Sequence, residues 1–128
     1  LLLVRLSNDG AASKAMAADS DLALGQLVEA VSKSRFWGST AVFVVEAATG
    51  GGVDHVDARR APAVVVSPWT KGRGTDSAFS TTMSVLRTLE AAVGLAPMTM
   101  HDTGAAVMTG VFGKAADGAA YEAVTPRP

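Results

Sequence analysis

Asp54, His55 and Asp57 lie within four residues of one another and form the densest group of potential metal ligands in the chain. Carboxylate oxygens with one imidazole suit zinc, manganese, magnesium or calcium, according to ligand number and geometry. A plainer reading stands beside that one. Aspartates in glycine-rich loops commonly bond their own backbone, and an adjacent histidine is often only a hydrogen-bond partner. Gly50, Gly51 and Gly52 precede the group. They match neither the dinucleotide fingerprint nor the P-loop, and no helical pattern follows to point its N-terminus at a phosphate. Arg59 and Arg60 offer an anion contact, though such pairs usually divide into one solvated and one salt-bridged side chain. His101 and Asp102 are a second acid–imidazole pair, read as a surface turn before a weakly patterned tail. No serine or threonine sits in a nucleophile-elbow context.

Such side chains need a frame. Leu1 to Leu6 reads as a short buried strand that delivers Asn8 and Asp9 to a turn. In "DSDLALGQLVEAVSKSRFW", Asp19 or Ser20 is placed to cap a helix, and Leu24, Leu27, Val28 and Val31 recur at helical spacing. "TAVFVVE" and "APAVVVSP" lack polar alternation, as expected of strands covered on both faces. "FSTTMSVLRTLEAAVG" predicts a second helix with Val85, Leu86, Leu89 and Val93 on one face and Gly94 as its C-cap. Trp37 and Trp69 read as core or rim packing. The order β, α, β, loop, β, α predicts an α/β layered sandwich with a mainly parallel central sheet. Asp9 and Glu46 then fall at the carboxyl ends of strands, where sites gather in such folds.

The bulk properties narrow the function classes. The 128 residues are read as a single domain, 1–128, with 48 % hydrophobic residues and mean hydropathy +0.27. Net charge is −1, from 11 basic and 12 acidic residues without a basic face, so neither nucleic acid nor an anionic membrane is an expected partner. There is no cysteine, which excludes disulfides, thiolate metal sites and a cysteine nucleophile. "LLLV" is too short for a transmembrane span, and no signal-peptide cleavage pattern follows it.

The segments "LVRLSND", "MAADSDLALGQLVEAVSKSRFWGSTAVFVVE", "GVDHVDARRAPAVVVSPW" and "DSAFSTTMSVLRTLEAAVGLAPMTMHD" together resemble the C-terminal part of bacterial phosphoesterase-family proteins of the alkaline phosphatase superfamily. The resemblance is collinear from about Leu3 to Phe112. It implies an alkaline phosphatase-like sandwich of which this chain is a portion. The implied chemistry is hydrolysis of a small phosphate ester by divalent metal (zinc, manganese or calcium), with a Ser or Thr nucleophile and Asp and His ligands. In such chemistry the metals activate the nucleophile and neutralise charge on the transferring phosphoryl group.

Position by position, the implied ligand set is incomplete. Relatives read Asn-Asp-His-Thr after the first strand; here Asn8 and Asp9 fit and Gly10 replaces the histidine. Relatives end the next strand in Val-Glu-Asp-Asp; here Glu46 is followed by Ala47 and Ala48. The Asp-His-Val-Asp-Ala-His-Arg motif persists as Asp54-His55-Val56-Asp57-Ala58, with Arg59 in place of its second histidine. The resemblance leaves Asp9, Asp54 and His55 as metal ligands and places the family's nucleophile upstream of Leu1. The expectation is a phosphoesterase segment that is catalytically impaired as it stands. The alternative is a non-catalytic α/β module that keeps the fold for binding or assembly.

Overall fold

The computed structural model describes residues 1–6, 14–46, 60–72 and 74–126. The chain divides into two compact units, one comprising Leu2–Pro68 with Gly118–Pro128, the other Trp69–Asp117 with Leu1.

In the first unit, helix α1 spans Lys14–Ser32, followed by a 3-10 turn at Trp37–Ser39 and strands β1 (Val42–Val45) and β2 (Ala63–Val66). The helix begins earlier than its capping signals suggest. Asp19 and Ser20 lie inside it, because the alanine-rich run from Lys14 has the strongest intrinsic helix preference and adds whole turns before them. Val28 is its buried apolar residue. Trp37 packs edge-on against Tyr121, with ring centroids 6.0 Å apart and planes at 84°. Ser67, just past β2, donates its hydroxyl to the Thr40 carbonyl at 2.9 Å, which ties the end of β2 to the residues leading into β1.

The strands correct the expected architecture. β1 and β2 pair antiparallel, with Val42 opposite Val66 and Val45 opposite Ala63, and they form a sheet of two strands. The mainly parallel central sheet of an alkaline phosphatase-like sandwich is therefore not what the described residues build. Two physical reasons account for the difference. A parallel pair needs a long crossover, usually helical, and the glycine-rich sequence between these strands carries no helical period. An unbroken Val-rich run also records β preference, not coverage: Val45 and Val64 are both exposed here. Leu1 to Leu6 forms no strand either, and Leu1, Leu2 and Leu3 are 82–95 % exposed. An extended apolar segment becomes a buried strand only if a sheet receives its backbone groups.

In the second unit, helix α2 spans Thr82–Val93, α3 is a single turn at Met100–Thr103, and a 3-10 turn follows at Thr109–Val111. α2 has both of its ends specified by sequence. Thr81 accepts from the Ser84 amide at 3.3 Å, and Ser84 Oγ accepts from the Thr81 amide at 3.1 Å, a reciprocal capping box. Gly94 closes the helix at φ +75°, where a side chain would be strained. Thr81→Ala should therefore cost about 1 kcal/mol, read as a fall in the denaturant midpoint at unchanged m-value. The buried face of α2 differs from the expected apolar stripe. Ser84, Val85, Thr88 and Glu90 are buried, whereas Val93 is exposed. Beyond α2, the chain from Trp69 to Lys71 runs against residues 111–113. Gly113 N donates to Trp69 O at 2.7 Å and Lys71 N to Val111 O at 3.0 Å. No helix among the described residues is long and apolar enough to cross a membrane.

Candidate functional site

Asp9, Asp54 and His55, the metal ligands that the resemblance implies, lie outside the described residues, as do Gly10, Ala47, Ala48, Asp57 and Arg59. Glu46 is described and exposed at the end of β1. Among the described residues, no group of three His, Asp or Glu side chains is arranged to hold a metal ion. The metal can thus be judged only on the chemistry of the donors. Asp9, Asp54 and His55 supply two carboxylates and an imidazole, a set able to hold one hard or borderline ion. Gly10, Ala47 and Ala48 supply nothing. The residues present do not fit a two-metal phosphoryl-transfer centre.

The described polar groups converge instead at two places. In the second unit, Asp102 is completely buried. The sequence Thr99-x-x-Asp102 is a capping box for α3, and it sets four donors around one carboxyl. Met98 N reaches Oδ2 at 2.9 Å, while Thr99 N, Thr99 Oγ1 and Thr103 N reach Oδ1 at 2.8, 2.7 and 2.9 Å. Burial alone would raise the pKa of this carboxyl. The bonds from Thr99 and Met98 outweigh burial and hold it well below the usual carboxylate range. Beside it, Glu90 of α2 is 2 % exposed, and neither of its oxygens has a hydrogen-bond donor among the described residues. Burial pushes Glu90 up, the Asp102 carboxylate pushes it the same way, and Arg87 opposes both. Arg87 Nη1 stands 3.6 Å from Glu90 Oε2, an ion-pair distance too long for a hydrogen bond.

Sequence reasoning placed His101 and Asp102 together on a surface turn. The structure separates them, with His101 exposed and Asp102 buried. The missed signal was the Thr99–Asp102 spacing itself, which predicts a carboxylate turned back onto its own N-terminal turn.

In the first unit, Glu29 and Ser32 are three residues apart and so share one face of α1. Both accept backbone N–H groups from the C-terminal segment: Ala123 N to Glu29 Oε2 at 2.9 Å, and Tyr121 N to Ser32 Oγ at 2.8 Å. Lys33 pairs with the other Glu29 oxygen, and with the Ala123 bond it holds Glu29 below its ordinary value. An open cleft of about 260 Å³ runs beside these contacts, lined on α1 by Leu24, Gly25 and Val28 and closed by Val66 and Tyr121. Ligand pockets for drug-sized molecules span about 300–1,000 Å³. This smaller, open cleft is the seam along which the C-terminal segment packs on α1.

Comparison of the chain with family models, curated proteins and solved structures finds no match.

Proposed function

We propose that this chain is a segment of a metal-dependent phosphoesterase whose own residues do not assemble a hydrolytic centre. The observation that carries the reading is the pattern of replacement along one collinear resemblance. Asn8-Asp9, Glu46 and Asp54-His55-Val56-Asp57 occupy the positions of the family's motifs, while Gly10, Ala47, Ala48 and Arg59 stand where ligands belong. The reading rests on the order and spacing of motifs and not on the sheet, which is antiparallel. Loss of one outer-sphere partner of a metal typically costs about 10–100-fold in affinity or activity. Removal of several direct ligands costs more, so phosphoryl transfer by this chain is expected to be absent. Asp9, Asp54 and His55 are the residues left to bind zinc, manganese or calcium weakly. The test is hydrolysis of a chromogenic phosphate monoester and diester, with and without a chelator, by the chain and by a variant with the ligands restored.

A further inference from the structure

We propose that the stripe Gly25, Val28, Glu29 and Ser32 on α1, together with Trp37, is a binding site for an extended peptide, and that residues 119–124 are a detachable strap that fills it as a built-in ligand. The four helix residues recur at i, i+3, i+4 and i+7 and so share one face. Residues 116–126 form neither helix nor strand. The amides of Tyr121 and Ala123, two residues apart, nevertheless both find acceptors on that face, Ser32 Oγ at 2.8 Å and Glu29 Oε2 at 2.9 Å. The strap therefore runs antiparallel to the helix, and helix side chains do for its backbone what a sheet edge does for an added strand. Both acceptors are held by α1 itself. Ser32 Oγ donates to the Glu29 carbonyl at 2.9 Å, and Lys33 pairs with the other Glu29 oxygen. The site is thus preorganised for a ligand by contacts that the strap does not supply.

Side chains along the strap alternate as those of an extended ligand do. Tyr121 and Ala123 are half-buried, and Glu122 and Val124 are exposed. Tyr121 meets Trp37 edge-on. Ala123 lies so close to α1 that a Cβ on Gly25 would stand 3.5 Å from its own. A glycine inside a helix weakens it, and here it makes room for that approach. Backbone amides carry no side-chain identity, so selection falls on two positions. The ligand class is an extended peptide with an aromatic residue and, two places on, a small one. The cleft beside the strap is open, so the strap lies on the surface and leaves without unfolding α1.

The test uses the full chain carrying Tyr121→Ala and Ala123→Glu, which disables the strap and leaves α1 and Trp37 intact. A free peptide of residues 118–126 is titrated into it while the amide resonances of Gly25, Val28, Glu29 and Ser32 are followed by NMR. Saturable shifts at these residues are expected. The same peptide with Tyr121→Ala should bind about tenfold more weakly or worse. The parent chain should also bind the free peptide at least about tenfold more weakly, because its tethered strap competes at high effective concentration. Absence of saturable shifts on α1 in the variant overturns the proposal, as does equal binding by variant and parent. If the variant fails to fold, amide exchange in the parent decides. Tyr121 and Ala123 should then exchange faster than Val28 and with a smaller denaturant dependence, as local detachment requires. Exchange of all three at one rate and one denaturant dependence would make the segment an integral part of the unit and overturn the strap.

Discussion

Trp37→Ala is expected to destabilise the first unit by about 3–5 kcal/mol, the usual cost of truncating a buried tryptophan. Trp37 is only 4 % exposed, and among the described residues of that unit Val28 and Pro68 are the other buried apolar side chains. The edge-to-face contact with Tyr121 links the 3-10 turn to the C-terminal segment, so truncation opens a cavity at the junction of two chain segments. A domain's total stability is about 5–15 kcal/mol, so a loss of this size is enough to unfold much of the unit. Trp37→Phe provides the control. The indole Nε1 has no hydrogen-bond partner among the described residues. Replacing it with an apolar ring removes an unsatisfied donor along with some volume, and the loss should be well under that of alanine. Denaturant unfolding followed by far-ultraviolet circular dichroism ranks the three chains, and equal midpoints for parent and alanine variant would refute the assignment.

Asp102→Ala should have the largest effect of any polar substitution in the second unit. The change leaves the amides of Met98, Thr99 and Thr103 and the Thr99 hydroxyl without the acceptor they share. An unmade hydrogen bond to a buried group costs more than a made one contributes. The α3 turn has no length of its own to fall back on, since it spans only Met100–Thr103. The expected result is loss of amide-exchange protection from Thr99 to Gly104 while α2, capped at both ends, stays protected. Asp102→Asn keeps one carbonyl acceptor but turns an NH2 toward N–H donors, so its effect should fall between parent and alanine. Intact protection of the Thr103 amide in the alanine variant would show that this carboxyl does not hold α3 in place.

What could be read from the sequence was the chemistry that is complete within a few residues. Gly94 as the end of α2, and a helix carrying Leu24, Leu27 and Val28, follow from short-range rules of capping and period, and both are observed. The runs "TAVFVVE" and "APAVVVSP" do hold the strands Val42–Val45 and Ala63–Val66, but these pair antiparallel. Strand direction is a property of the connection and of the neighbours, and Val-rich runs carry no record of either. Leu1 to Leu6 failed on the same ground: its composition suits a strand, and the described structure supplies no sheet to receive it. α1 starts ahead of the capping signals at Asp19 and Ser20 because the alanines before them carry helix preference of their own. In α2, Val85 of the expected apolar face is buried, but Val93 is exposed, and burial also goes to Ser84, Thr88 and Glu90. Polar residues take a buried face where they have local acceptors, as Thr88 Oγ1 does at the Ser84 carbonyl at 2.6 Å. Asp9, Asp54 and His55 lie outside the described residues, so the metal reading stands on sequence alone.

The central proposal is that Gly10, Ala47 and Ala48, standing where the phosphoesterases that the sequence resembles carry ligands, leave the chain without a phosphoryl-transfer centre. The most direct measurement is hydrolysis of a chromogenic phosphate ester by the purified chain in zinc, manganese or calcium, with and without chelator, beside the triple variant Gly10→His, Ala47→Asp and Ala48→Asp. The account predicts no chelator-sensitive turnover by the chain, and tighter zinc binding by the triple variant, seen as a metal-dependent rise in Tm that the parent lacks. Chelator-sensitive turnover by the unmodified chain would contradict it.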